Sequence, residues 1–175
     1  MGGFEGIVTH EELLLLAEYD DWATDRLLGA VARLPGEAWT RRVDSGVPCL
    51  RDALVRLVNS TVVWLARWQG HPLVVGLHAA GFTHPQALQQ RWRAVTASRR
   101  ELLEAIPEAR LHAPLAYRTA TGRERSEVFA RTVLHLIMHA AHQRGRVVAL
   151  MRLLGASGVH TDLLHFLRCR GAHGQ

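Results

Sequence analysis

The stretch HLIMHAAHQRGRVVALMRLLG, residues 135–155, decides the fold, because apolar residues continue around nearly its whole helical circumference. A helix that is apolar on most sides is normally buried on several of them. We therefore expect this segment to pack against several other helices in a bundle. Its few polar side chains then point at a cavity, a groove or a subunit contact.

Five polar side chains of this stretch share one side of the predicted helix. At about 100° per residue, with His139 set at zero, His135 and His142 lie about 40° and about 60° to one side. Gln143 lies about 40° to the other side, and Arg146 falls within about 20° of His139. We call these five residues the histidine ridge.

Four further segments carry helical apolar spacing with start and stop signals. Thr9 and Glu12 form a capping box before the first of them, and Thr83 with Gln86 repeats that spacing before the third. Weak alternation before Gly122 predicts a short hairpin. The sequence therefore predicts an all-α four-helix bundle with a short C-terminal helix. The predicted helices, in a single domain over residues 1–175, are about 10–34, 50–69, 83–106, 126–154 and 161–169.

The composition is that of an ordinary globular protein, with 48% hydrophobic and 21% charged residues. The chain has no run of about 18 apolar residues, so we expect no membrane span. Its first residues lack the basic and apolar regions of a signal peptide. Two cysteines are too few for a disulfide framework, which favours a reducing cytoplasm.

The basic residues give a formal net charge of +5, and all 21 of them are arginine. They are scattered as short pairs, such as Arg41 with Arg42 and Arg99 with Arg100. Trp92 is the one aromatic residue flanked by arginines in the manner of a nucleic-acid groove. We therefore expect no nucleic-acid partner.

Two histidines of the ridge have the spacing of a metal chelate. His135 and His139 are one turn apart, and imidazoles at i and i+4 can bind one divalent ion. A third ligand must come from another helix, where Asp20 and Asp21 are candidates. His142 lies about 10 Å from His135 along the axis, too far to share one ion. The other interpretation is that these rings only make hydrogen bonds to carbonyls or acids.

Four fragments in order resemble one known family. They are LAEYDDWATDRLL (residues 16–28), the WLARW end of the second helix (64–68), the stretch 135–155, and TDLLHFLR (161–168). From about Leu13 to Arg168 the chain is similar to the DinB/YfiT-like superfamily of four-helix proteins. The fourth long helix of that superfamily usually carries His-Arg-Gly-Gln, where this chain has His-Gln-Arg-Gly-Arg.

The resemblance implies a metal ion held by three histidines, one from the second helix and two at i and i+4 on the fourth. In this sequence those positions are Arg56, His139 and Gln143. Arginine stays cationic and has no free lone pair, and a glutamine amide is a poor ligand for zinc or nickel. We therefore expect a degenerate site without a metal cofactor. The alternative is Zn, Ni or Mn bound by His135 and His139.

The resemblance leaves two hypotheses for function. The first is a stress-associated protein without a metal, which binds a small anionic ligand in the remaining pocket. The second is a metal-dependent enzyme, either a thiol-dependent transferase or a hydrolase, whose catalytic residues the sequence leaves unassigned. The pocket residues of the first hypothesis are Arg56, His139, Gln143 and Arg146, with His135 and His142 beside them.

The fourth long helix also bears on assembly. It is apolar on more sides than packing within one bundle requires. The resemblance adds that relatives in this superfamily often pair. We therefore expect a homodimer.

Overall fold

The computed structural model describes residues 8–44, 46–71 and 76–172. Within those ranges it is built from helices and one two-stranded antiparallel sheet, which confirms the predicted all-α bundle. Short 3-10 turns at residues 36–39 and 79–81 precede α2 and α3. The elements are α1 (His10–Val31), α2 (Leu50–Trp68), α3 (Pro85–Ala105), α4 (Glu108–Leu111), β1 (Pro114–Arg118), β2 (Glu124–Val128), α5 (Phe129–Leu153) and α6 (Leu163–Ala172).

Four long helices form the bundle. The first, α1, packs against α3 and α5, while α2 packs against α5 and α3. This arrangement places α1 diagonally across the bundle from α2. Each long helix contributes leucines with no exposed surface, among them Leu27, Leu54, Leu88 and Leu136. The expectation that the helix of the ridge packs against several other helices is therefore confirmed, since α5 contacts both α1 and α2.

The helices α1 and α2 begin at the residues that the sequence predicted, His10 and Leu50. Thr9 Oγ1 accepts a hydrogen bond from Glu12 N at 3.1 Å, and Thr9 N donates to Glu12 Oε2 at 2.8 Å. The predicted capping box is thus present. Cys49 precedes α2 without a capping hydrogen bond from its side chain, and the residue is 2% exposed. Its thiol therefore packs into the core.

The start of α3 differs from the prediction. The helix begins at Pro85, and His84 Nδ1 accepts a hydrogen bond from Ala87 N at 3.3 Å. Proline suits the first helical position because the amide proton it lacks would have no partner there. His84 therefore caps the helix, and the prediction that Thr83 and Gln86 do so is wrong.

The hairpin is confirmed, and it shortens the helix that follows it. Strands β1 and β2 pair antiparallel, and Gly122 between them has a φ of +79°, a conformation that glycine adopts readily. The fourth long helix begins at Phe129 rather than at Ser126, because residues 124–128 form β2. Residues 124–128 are mostly polar and show no apolar alternation, so the prediction extended the helix into β2.

The remaining helix ends lie close to their predicted positions. The largest differences are at Val31, where α1 ends three residues early, and at Ala172, where α6 ends three residues late. In the ranges that the structure covers, no helix is both long and apolar enough to cross a bilayer.

Candidate functional site

The histidine ridge lies on α5 at the border between the core and solvent. His135, His142 and Arg146 are exposed, and His139 is half-buried. Gln143 is only 6% exposed, so the ridge enters the core at this residue. The sequence placed these side chains on one side of the helix but could not show which of them face inward.

His139 is the centre of the ridge. Gln143 Nε2 lies 3.5 Å from His139 Nε2, within reach of a long hydrogen bond from the amide to the ring. The ring of His135 stacks on that of His139 with centroids 6.1 Å apart. Burial lowers the pKa of His139 below its usual 6.5, and the neighbouring His135 and His142 lower it further. His139 is therefore neutral near pH 7.

Arg56 lies on an exposed face of α2. Its backbone carbonyl accepts a hydrogen bond from Ser60 Oγ at 3.1 Å. Three surface clefts, one beside the hairpin and two beside α1 and α3, are lined by other residues than Arg56 and the ridge. The predicted pocket between Arg56 and the ridge stays a prediction.

Aromatic side chains connect the ridge to α2 and the hairpin. The Trp64 ring meets the ring of His135 edge-on at 5.8 Å and that of Tyr117 at 5.0 Å. One turn later, Trp68 Nε1 donates to the buried Thr132 Oγ1 at 2.9 Å. Trp64 therefore contacts both α5 and β1 and fixes their relative position.

Comparison with known proteins assigns this arrangement to a family. A family profile described as the DinB family matches residues 8–173, nearly the whole chain. The chain belongs to the DinB family. The resemblance seen in the sequence fragments is thereby confirmed at the level of the family.

The relatives of this DinB-family chain are distant in sequence. Protein DinB from Bacillus subtilis (strain 168) is 22% identical over 152 residues, which cover 84% of this chain and 88% of that protein. A DinB-like protein from Bacillus cereus ATCC 10987 has a crystal structure that matches with a TM-score of 0.68 and 20% identity, over 86% of this chain and 97% of that one.

A second solved structure shares the fold. YfiT from Bacillus subtilis matches with a TM-score of 0.65 and 12% identity, over 90% of this chain and 95% of that one. It is described as a probable metal-dependent hydrolase with an unusual four-helix bundle topology. At 20% and 12% identity, the two solved structures show that this chain shares their fold, and nothing further about its activity.

The donor set of this DinB-family chain does not fit the three-histidine metal centre that the resemblance implies. The positions carry a guanidinium at Arg56, an imidazole at His139 and an amide at Gln143. Zinc and nickel prefer nitrogen and sulfur donors with available lone pairs, which only the imidazole supplies. Across residues 8–44, 46–71 and 76–172, no three side chains of His, Cys, Asp or Glu converge to hold a metal ion.

A second group of polar side chains lies inside the bundle, and the sequence did not reveal it. Asp20 on α1 is fully buried, and Arg99 on α3 and Arg144 on α5 are each 1% exposed. Arg99 Nη1 donates to Asp20 Oδ2 at 3.0 Å, and Arg144 Nη1 donates to Asp20 Oδ1. Together with Asp21, which also pairs with Arg99, these residues form what we call the buried ion cluster. The cluster joins three of the four long helices.

Asp21 lies at the edge of the buried ion cluster with 14% of its side chain exposed. Burial raises its pKa to about 6, although the guanidinium of Arg99 opposes the rise. Asp20 and Asp21 were candidates for a third metal ligand near the ridge. That interpretation is wrong, because both carboxylates are engaged by arginines.

The two arginines of the cluster have buried nitrogens without a hydrogen-bond partner among the described residues. These atoms are Nε of Arg99 and both Nε and Nη2 of Arg144. Aromatic faces lie beside both guanidinium groups, with Arg144 Cζ 5.3 Å from the Tyr19 ring centroid and Arg99 Cζ 5.7 Å from that of Trp92. Cation–π attraction therefore helps to stabilise the two guanidinium groups, which hydrogen bonds satisfy only in part.

A signal for this cluster was present in the sequence. On the helical projection, Arg144 lies about 140° from His139, in the middle of the apolar face that includes Val133 and Ile137. An arginine is almost never fully buried unless it is paired, so its place on that face indicates a buried partner. The spacing on one helix could not show that the partner is Asp20.

Proposed function

We propose that this DinB-family protein has exchanged the family's metal ligands and binds a small organic anion beside the histidine ridge without a metal ion. The observation that carries the proposal is the pair formed by His139 and Gln143. A buried amide, 3.5 Å from the ring, occupies the position one turn after His139. A second imidazole at that position would complete a chelate, whereas the amide nitrogen of Gln143 lies 3.5 Å from the ring nitrogen of His139.

The charges near the ridge support an anionic ligand. Arg146 follows Gln143 on α5, and the resemblance places Arg56 at the third ligand position. A guanidinium repels a divalent cation and pairs readily with carboxylate or phosphate groups. Because the pKa of His139 is lowered, the ring adds no positive charge at neutral pH.

A metal-dependent enzyme is the second candidate. Its support is the i, i+4 pair of His135 and His139, whose rings stack at 6.1 Å, together with the description of YfiT. This reading requires a third donor. His142 is the remaining histidine of the ridge, and its distance along the helix from His135 rules out one shared ion.

Elemental analysis separates the two candidates. Protein purified without a histidine tag is measured for zinc, nickel and manganese before and after dialysis against a chelator. We expect less than about 0.1 metal ions per chain for both the natural protein and His139→Ala, since even the pair of His135 and His139 falls short of the three protein donors of a zinc site. Stoichiometric metal in the natural protein that His139→Ala removes would establish the second candidate.

A further inference from the structure

The hairpin and the C-terminal end of α2 enclose a cleft of about 860 Å³. Its walls include Val63 and Arg67 from α2, Ala116 and Tyr117 from β1, and Arg125 from β2. A volume of this size is in the range of small-molecule sites, which run from about 300 to about 1,000 Å³. Trp64 lies between the cleft and the histidine ridge, because its ring contacts Tyr117 of the cleft wall and His135 of the ridge.

Arg67 is held in a fixed position on the cleft wall. Its Cζ lies 4.7 Å from the ring centroid of Trp64 and 4.9 Å from that of Tyr117. Arg67 Nη2 donates a hydrogen bond to the carbonyl oxygen of Arg118 at 3.0 Å. A guanidinium fixed in this way loses little further freedom when it binds a ligand.

The charge of Arg67 has no counter-ion among the residues that the structure describes. In the part of the chain that the structure describes, no carboxylate forms an ion pair with it, and its Nε and Nη1 make no hydrogen bond. Partial burial lowers the pKa of Arg67, while Tyr117 opposes this effect. A half-buried cation without a carboxylate is stabilised by any anion that reaches it.

Basic residues outnumber acidic ones on the rest of the cleft wall. Arg118 and Arg125 also line it, against one acidic residue, Glu124. Glu124 is already paired, since Arg118 Nη2 lies 2.9 Å from its Oε1. The cleft therefore presents an excess of positive charge beside the aromatic ring of Tyr117.

We propose that this cleft binds a small organic anion with a flat apolar body. Its carboxylate or phosphate group is bound by Arg67, and its body packs against Tyr117 and Ala116. This inference goes beyond the proposed function, because the cleft is a separate anion site. It lies between α2 and the hairpin, and its lining contains neither Arg56 nor Arg146.

The test is a titration of ¹⁵N-labelled protein followed by NMR chemical shifts. The probes are phenyl phosphate and benzoate, with benzyl alcohol as the neutral comparison. We expect the shifts caused by both anions to centre on Arg67, Tyr117 and Arg125, and benzyl alcohol to bind at least about tenfold more weakly, because it lacks the charge-assisted hydrogen bonds. Binding of the alcohol as tight as that of the anions would overturn the proposal.

Two variants test the role of Arg67. Arg67→Gln keeps a polar side chain but removes the charge, so phenyl phosphate should bind at least about tenfold more weakly. Arg26→Gln is the matched control, because Arg26 also stacks on a tryptophan, Trp22, with 5.1 Å from Cζ to the ring centroid, and lies outside the cleft. Ala116→Glu places a negative charge at an exposed position of the cleft wall. It should abolish the binding of phenyl phosphate although Arg67 itself is not substituted.

The outcomes distinguish the site from the function. Anion-dependent shifts that centre on Arg56, His139 and Arg146 would overturn the cleft but leave the proposed function standing. Equal affinity of Arg67→Gln and Arg26→Gln would also overturn the cleft. Absence of any anion-dependent shift up to the solubility limit of the probes would overturn both.

Discussion

Asp20 of α1 and Arg144 of α5 form an ion pair inside the bundle, where their side chains are 0% and 1% exposed. Arg99 of α3 bonds to the other oxygen of the same carboxylate. One buried carboxylate therefore holds together three helices that are far apart in sequence. Removing one partner from such a buried group costs more free energy of unfolding than breaking an ion pair at the surface.

Asp20→Asn should destabilise the protein strongly. The substitution leaves the buried guanidinium of Arg144 without a counter-charge and leaves Arg99 with Asp21 as its remaining partner. Breaking a buried pair from one side costs about 3–5 kcal/mol. Asp25→Asn is the matched control, because its pair with Arg93 is 41% and 65% exposed and should cost no more than about 1 kcal/mol. Urea denaturation measures both. Equal losses for the two variants would show that the cluster is not a main source of stability.

Asp21 should make the protein less stable as the pH rises. Its pKa is about 6 in the folded protein against an ordinary 3.8, so the folded state holds a proton that the unfolded chain has released. The resulting stabilisation is fully present below about pH 3.8 and is lost as the pH rises through about 6.

The measurement compares the natural protein with Asp21→Asn, since histidines titrate over part of the same range. Between about pH 5 and about pH 7.5, a range that spans the pKa of about 6, the natural protein should lose more free energy of unfolding than Asp21→Asn does. Parallel curves for the two proteins would contradict the raised pKa.

His139 should titrate below the ordinary histidine range. Its pKa is lowered first by burial and then by His135 and His142, so removing a neighbour should raise it. NMR titration of His142→Gln is expected to give a pKa for His139 that is higher than in the natural protein but still below 6.5. A value at or above 6.5 in the natural protein would refute the burial of this ring.

We also propose that the protein is a homodimer, which pairs through the exposed side of α5. Met138 and Leu153 on that helix are 73% and 63% exposed, and a side chain added at Gly145 would meet open space. A dimer contact along α5 would remove both side chains from water, which is the favourable term that drives most protein association. Sedimentation should show a dimer that Met138→Glu converts to the 19.5 kDa monomer.

Leu164→Glu is the control for this prediction, because Leu164 is 62% exposed but lies on α6. It should leave the dimer intact. If the natural protein sediments only as a 19.5 kDa species at high micromolar concentration, the proposed dimer is wrong.

The sequence predicted the helices well because their signals are local. Apolar spacing, the capping box at Thr9 and the turn at Gly122 each depend on residues within a few positions. The start of α3 was missed because Pro85 displaced the cap by one residue, and the start of α5 because β2 was too polar to be recognised.

The site was harder to predict because it depends on contacts between helices. Helical spacing placed His139 and Gln143 on one side of α5 but could not show that Gln143 is buried. The pairing of Asp20 with Arg99 and Arg144 joins residues 79 and 124 positions apart, and no local pattern encodes such a distance. The stress-associated role, the cytoplasmic location and the anionic ligand stay predictions.

The measurement that tests the central claim most directly is calorimetric titration of the untagged protein with zinc. The natural protein should show no saturable submicromolar site, while the double variant Arg56→His with Gln143→His should gain one, because it restores three imidazoles. His139→Ala in that double variant should remove the gained site. One zinc ion bound by the natural protein at submicromolar affinity, and lost in His139→Ala, would contradict the account.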